Sequence, residues 1–168
     1  MMAKTPEYWI EKLKLQEHPE GGFFSETYRS DEQVNAEALP ERYGSARTFG
    51  TSIYFLLKPH SVSNFHRLKS DEIWHFHQGG AATIHMISPT GELSAKTIGA
   101  DLEDGQSLQV IIPRGHWFAA EVVAADFILV GCTVAPGFEF EDFELAGRQD
   151  LSSAYPQHQT LVKRFTKD

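Results

Sequence analysis

An all-β fold is the architecture this sequence predicts, and three observations predict it. Short runs of alternating apolar and polar residues fill most of the chain, turn signals separate them at nearly even spacing, and helical spacing is confined to the two ends. Many short strands with almost no helix indicate a sandwich, barrel or jelly roll rather than a parallel α/β sheet.

Thr5 and Pro6 form a helix-start signature, and Trp9, Ile10 and Leu13 follow at helical spacing, so a short amphipathic helix opens the chain. His18-Pro19-Glu20-Gly21-Gly22 then breaks the chain, because proline cannot continue a helix and paired glycines reach backbone angles closed to other residues. From there the period is two. Phe24, Glu26 and Tyr28 share one face of a first strand. After a polar loop over 30–45, Phe49, Thr51, Ile53, Phe55 and Leu57 share one face of a longer strand. The remaining strands are read at 63–68, 72–77, 82–87, 93–98, 106–112, 116–123 and 127–134, with turn residues at 69–71, 78–80, 88–91, 99–105, 113–115 and 124–126. The tail over 156–168 carries one short helix with Leu161, Val162 and Phe165. A chain of 168 residues with no internal repeat or linker forms one domain over 1–168, its barrel at about 20–145.

Composition narrows the partners. Fifteen Lys and Arg against 23 Asp and Glu leave a formal charge of −8, and the basic residues are scattered, so no face complements a nucleic-acid backbone. No apolar run approaches the roughly 18–20 residues that span a bilayer, and Met1-Met2-Ala3-Lys4-Thr5-Pro6 lacks the apolar stretch of a signal peptide. The expectation is a cytoplasmic protein with no membrane partner. Cys132, the lone cysteine, cannot form an internal disulfide and sits in the apolar run 127–132, where it is read as a buried structural thiol.

The stretch from Asn64 to Gly79 is the most informative. It resembles the first motif of the cupin superfamily, His-x-His, three or four residues, Glu, six residues, Gly: His66, Glu72 and Gly79 fall in register, and Leu68 stands where the second His is expected. Pro113-Arg114-Gly115 matches the turn of the second motif, whose His is replaced by Phe118. His18-Pro19-Glu20-Gly21-Gly22, Glu26-Thr27-Tyr28-Arg29, Thr51 to Leu57, Asp71 to Phe76 and Val134-Ala135-Pro136-Gly137-Phe138 together are similar to a branch of the superfamily marked by that glycine-rich turn. The resemblance implies a double-stranded β-helix jelly roll, similar in outline to sugar-nucleotide epimerases, and a homodimer paired through sheet contacts. It implies no particular reaction.

In a small barrel, alternate residues of each strand face the cavity. Asn64, His66 and Leu68 therefore share one wall and Glu72, Trp74 and Phe76 another, with Phe118 and Tyr54 extending the aromatic lining. A His and a carboxylate in an apolar enclosure acquire the shifted strengths that proton transfer beside a carbonyl needs. With His66 as base and Glu72 as its partner, this gives a metal-independent isomerase or epimerase-like enzyme on a polar or sugar-like small molecule. A second reading follows from the resemblance: metal cupins hold their ion with several His and one carboxylate, which implies a divalent transition metal on His66, Glu72 and His116 in an oxygenase or isomerase. A third is a module that binds a small-molecule ligand without turnover. His75 and His77, one residue out of phase with Glu72, face the other way. His18 and Glu20 are read as turn residues satisfying local amides, Arg29 as a surface ion pair, and the segment 138–143 as an edge that seats aromatics while its acids stay in solvent.

Overall fold

Residues 71–87 and 117–135 each form one continuous strand, although 78–80 and 124–126 carry the residues of turns. The register between the two strands shifts at Val123/Ile128 and at Leu129/Val130, and Gly79 there has φ +98°. Bulges of this kind let a strand bend sharply and pass from one sheet to another without surrendering its pairing. At these two places turn chemistry in the sequence therefore marks corners, not ends.

The computed structural model describes residues 4–167, and the reading of Met1, Met2 and Ala3 as free of a leader lies outside the described residues. In chain order the elements are α1 (Pro6–Lys12), β1 (Gln16–Glu17), β2 (Phe23–Arg29), β3 (Gln33–Val34), β4 (Arg47–Thr48), β5 (Thr51–Leu57), β6 (Val62–Leu68), β7 (Asp71–Ile87), β8 (Leu93–Ile98), β9 (Gln109–Ile112), β10 (Trp117–Ala135), β11 (Phe143–Leu145), α2 (Arg148–Ala154) and α3 (Gln159–Arg164). Nine strands form one curled antiparallel sheet, and β3 pairs with β4 separately. The curl gives two faces. One runs β1, β2, β5, the second half of β10, the first half of β7 and β9. The other runs β11, β6, the first half of β10, the second half of β7 and β8. This is the jelly roll expected from the sequence.

Between the faces lies the main core, where Phe55, Leu57, Trp74, Ile84, Phe118 and Val130 are among the buried residues. Outside the first face, α1 lays Trp9, Ile10 and Leu13 over Leu56, Phe127 and Leu129, and Thr5 caps it by accepting from Tyr8 N–H. Outside the second face, Leu151 of α2 and Val162 of α3 join Phe165 over Phe65, Ile87 and Trp117. The tail helix is as expected, and α2 is an addition. Among the described residues no helix is long and apolar enough to cross a membrane.

Two departures bear on the site. In β2 the pairing slips between Glu26 and Tyr28, so Phe24, Glu26 and Arg29 line the interior cavity while Tyr28 is exposed. A bulge inverts every face beyond it. In the segment 138–143, Asp142 is buried and not in solvent: the buried Arg47 grips both its carboxylate oxygens at 2.6 and 2.7 Å. The segment forms a 3-10 turn over Phe140–Asp142 and then the short strand β11.

Candidate functional site

The His18-to-Gly22 turn is pressed onto β6. Gly21 and Gly22 both hold positive φ, +111° and +74°, and a methyl group on Gly21 would run into the Val62 carbonyl. Asn64 clamps the turn, its N–H and its side-chain amide both donating to the Glu20 carbonyl, at 2.8 and 2.6 Å. Gly21→Ala is accordingly expected to cost about 1–3 kcal/mol, read from urea denaturation, because neither the backbone angle nor the space admits a side chain. An unchanged midpoint would show that the turn is not packed as described.

What the turn delivers is a buried carboxyl. Glu20 Oε1 accepts from Ser63 Oγ at 2.7 Å, while Oε2 lies 3.0 Å from His66 Nε2 and 3.3 Å from His18 Nδ1. His66 Nδ1 is 2.7 Å from the Asn64 carbonyl, which can only accept, so Nδ1 carries a proton and Nε2 turns its lone pair or a second proton toward Glu20. Burial decides which. It pushes the Glu20 carboxyl well above the usual carboxylate range, helped by the nearby charge of Glu72, and pulls His66 down to about 3. The neutral arrangement follows, with the acid proton of Glu20 donated to His66 Nε2. His18, brought down to about 4 by burial, accepts the Glu20 N–H at Nδ1 (3.3 Å), which leaves Nε2–H on the ring edge away from Glu20.

Glu72 and Trp74 sit two apart on β7 and so share its inward face. Trp74 Nε1–H donates to Glu72 Oε1 at 3.1 Å, and the Cys132 thiol of β10, in the same cavity lining, also helps to lower the carboxyl's pKa. Burial raises Glu72 to about 7, against which these two groups pull only partly back. The thiol in turn is held well above its ordinary range by burial and by the two carboxyls. Cys132 is thus buried as expected, yet it also lines the cavity.

Around these groups is a cavity of about 80 Å³, room for several water-sized groups. Its wall is largely aromatic, with Phe24, Phe55, Trp74, Phe138, Phe140 and Phe143. Glu26 and Arg29 are also in the lining. Arg29 is bound bidentately by Glu26 (3.1 and 2.9 Å), by Glu139 (2.7 Å) and by the Phe138 carbonyl (3.1 Å). The ion pair expected of Arg29 is present and sits in the cavity wall.

Of the residues selected from the sequence, His66, Glu72, Trp74 and Leu68 line the cavity. Asn64 instead ties the turn to β6, and Phe118 packs beneath His66 with ring centroids 3.9 Å apart. Phe76 packs against the main core, outside the cavity lining. Tyr54 is a correction: alternation on β5 sends Thr51, Ile53 and Phe55 inward, so Tyr54 lies on the outer face beneath α1. His75 and His77 are out of the cavity, as read, with Thr133 Oγ1 3.2 Å from His75 and Tyr54 packed edge-on to His77.

His116 is a second correction. It belongs to the turn before β10, its Nδ1 3.4 Å from the Arg114 carbonyl, so strand alternation does not reach it and it is not in the cavity lining. The expected metal set of His66, Glu72 and His116 is therefore not assembled. Both nitrogens of His66 are already committed, Leu68 and Phe118 fill two ligand positions, and among the described residues no three His, Cys, Asp or Glu side chains are arranged to hold an ion. The donor set does not fit a cupin metal.

Glu20 and His18 are the larger surprise, since both were read as turn residues. The available signal was the pair of glycines after Glu20. Paired glycines mark a close backbone approach, and a carboxyl beside one is carried to whatever the backbone approaches.

The fold and this cluster define a class: a jelly-roll barrel with an enclosed, acid-bearing cavity between its two faces. Residues 7–146 match the family described as Cupin superfamily (DUF985), and the chain belongs to that family. It is 32% identical over 154 residues to the uncharacterized protein YML079W of Saccharomyces cerevisiae, covering 84% of this chain and 76% of that one. Among solved structures it resembles protein SO0799 from Shewanella oneidensis (41% identity, TM-score 0.89) and a hypothetical protein from Leishmania major (37%, 0.89), each covering 98% of this chain and 99% of the other. Oxalate decarboxylase from Bacillus subtilis shares the fold alone, at 13% identity and TM-score 0.54, over 89% of this chain and 36% of that enzyme.

Proposed function

We propose that the cavity is the active site of a metal-independent isomerase or epimerase-like enzyme that moves a proton on a small polar carbonyl compound, with Glu72 as the acid–base group. One observation carries this reading: a carboxyl poised near neutrality in a mostly apolar cavity, beside a second buried acid that is already hydrogen-bonded to His66. A general acid–base works best when its pKa lies close to the operating pH, and Glu72 at about 7 meets that condition. His66 is better placed to position than to react, because Asn64 and Glu20 occupy both its nitrogens. This revises the pairing read from the sequence, in which His66 was the base.

In the proposed step, ionised Glu72 takes a proton from the carbon beside a carbonyl, and the bonding electrons move onto the carbonyl oxygen. We assign the stabilisation of that developing oxyanion to His18, which lines the cavity and whose Nε2–H is not used by Glu20. The Glu72 proton exchanges with solvent, and its carboxyl then returns a proton to carbon, at the neighbouring position for an isomerisation or, once the enolate has turned its other face to Glu72, at the same carbon for an epimerisation, with no co-reactant. The small cavity suits the reacting end of a ligand whose remainder lies at the mouth. The outline similarity to sugar-nucleotide epimerases supports the reaction class by analogy only.

The test is solvent exchange. Small carbonyl compounds and sugars that stabilise the protein in a thermal-shift screen are incubated with it in D₂O, and deuterium uptake at carbon is followed by NMR. Uptake is expected with wild type, and Glu72→Gln should slow it at least about 100-fold while the ligand still binds. Binding without uptake by any ligand, or equal rates in the variant, would overturn the reading.

A further inference from the structure

We infer that the ligand bears a positive charge, a small amine or methylated ammonium group held among the aromatic rings and facing Glu72. The inference rests on the proton-transfer reading of the same cavity and names its substrate class.

The charge inventory of the wall is one-sided. Glu26 and Glu72 line the cavity beside Glu20, whose protonated carboxyl brings no charge, and the only Lys or Arg among the described lining residues is Arg29. That guanidinium is already occupied by two carboxylates and a carbonyl, so Glu26, Arg29 and Glu139 together leave the mouth formally negative. The hydrogen bond to Glu72 comes from the indole N–H of Trp74, which carries no charge, and the Cys132 thiol in the same lining brings none either. His18 and His66 are held neutral by burial and supply no cation. An anionic ligand would meet repulsion at the rim and no counter-charge within.

The rings point the same way. Six aromatic side chains, Phe24, Phe55, Trp74, Phe138, Phe140 and Phe143, line a space of about 80 Å³. Their π faces are negative, and an enclosing set of them beside a carboxyl is the environment that recognises ammonium groups, most strongly where water is displaced. Apolar walls alone would suit any greasy ligand. Apolar walls with buried carboxyls and no internal cation suit one that brings the missing charge, which would also keep Glu72 ionised as the base while the ligand is bound.

Choline and tetramethylammonium are the probes, with 3,3-dimethylbutanol as the uncharged isostere of choline and acetate as the anion. Binding to the full-length wild-type protein is measured by ligand-observed NMR titration. The cations are expected to bind roughly tenfold tighter than the isostere, and acetate not at all. Glu72→Gln should erase most of that preference. The wild-type comparison stands even if the variant misfolds. Equal binding of the isostere, tighter binding of acetate, or no binding of either cation overturns the inference. The deuterium assay separates the two proposals. Exchange on an uncharged or anionic ligand that outbinds the cations would sustain proton transfer and remove the cation. Selective cation binding, with no exchange in any amine-bearing carbonyl compound, would do the reverse.

Discussion

Arg47→Met is expected to remove about 3–5 kcal/mol of stability, the range for breaking one side of a buried ion pair. The Arg47 side chain has no solvent exposure, and Asp142 almost none. Nε and Nη2 donate to the two Asp142 oxygens at 2.6 and 2.7 Å, Nη2 donates to the Tyr43 carbonyl at 2.9 Å, and Nη1 donates to the Ala46 carbonyl at 2.8 Å. Methionine fills the volume but leaves a buried carboxylate whose remaining cation is the partly exposed Lys69, at 3.3 Å. Asp142→Leu in the same chain should recover part of the loss, because an apolar pair in place of a buried ion pair is often close to neutral. Urea denaturation of the two variants measures both effects. A loss below about 1 kcal/mol for Arg47→Met would mean the pair is not buried as described.

The consequence reaches the site. Arg47 fixes the segment that carries Phe138, Phe140 and Phe143 into the cavity and brings Glu139 to Arg29. These contacts link a loop distant in sequence to the mouth of the barrel, so the aromatic wall is only as well ordered as the ion pair beneath it. Weaker cation binding in Arg47→Met, under conditions where the variant is still folded, is the corresponding functional expectation.

The barrel was legible because its signals are local. Alternation at Thr51, Ile53 and Phe55, or at His66 and Leu68, needs no knowledge of the rest of the chain, and these residues face inward as the period requires. Strand ends were less legible, since the residues that stop a strand also bend one: Gly79 is a corner in a strand that continues for eight more residues, to Ile87. Tyr28 and Arg29 changed places for a related reason, a bulge that leaves no mark in composition. Half of the candidate site was found through His66 and Glu72. Their neighbours Trp74 and Asn64 were found with them, but the distant groups were not, because Glu20 reaches His66 across 46 positions of sequence and Cys132 joins Glu72 in the cavity lining across 60. Such contacts are properties of the closed barrel. Arg47 and Asp142 were hidden for the same reason: a charged residue read alone belongs in water, and only its distant partner makes burial tolerable.

Glu72→Gln should make the protein more stable by about 3 kcal/mol at pH 8.5 and by less than about 1 kcal/mol at pH 5, a pH dependence that loss of a structural hydrogen bond would not produce. The folded chain holds the Glu72 proton up to about pH 7, whereas the unfolded chain releases it near the ordinary 4.5. Between those points the folded state binds more protons, so stability falls as pH rises through the window, and the full cost, of order 3 kcal/mol, is present above it. Glu20, also raised by burial, acts in the same sense. His18 and His66 act in the other: lowered to about 4 and about 3, they cost stability as pH falls below 6.5. Opposing slopes leave a broad optimum on the acid side of neutrality, roughly between pH 4.5 and 6.5. Glutamine mimics the protonated acid, can still accept from Trp74, and cannot ionise, so it should flatten the alkaline limb. Urea titrations at the two pH values decide it: a variant destabilised equally at both would mean that Glu72 is ionised throughout and owes its place to a partner. If the alkaline gain appears together with loss of exchange, the wild-type protein is tolerating at neutral pH a buried charge that its fold does not need. The cavity's chemistry is then the reason that charge is there.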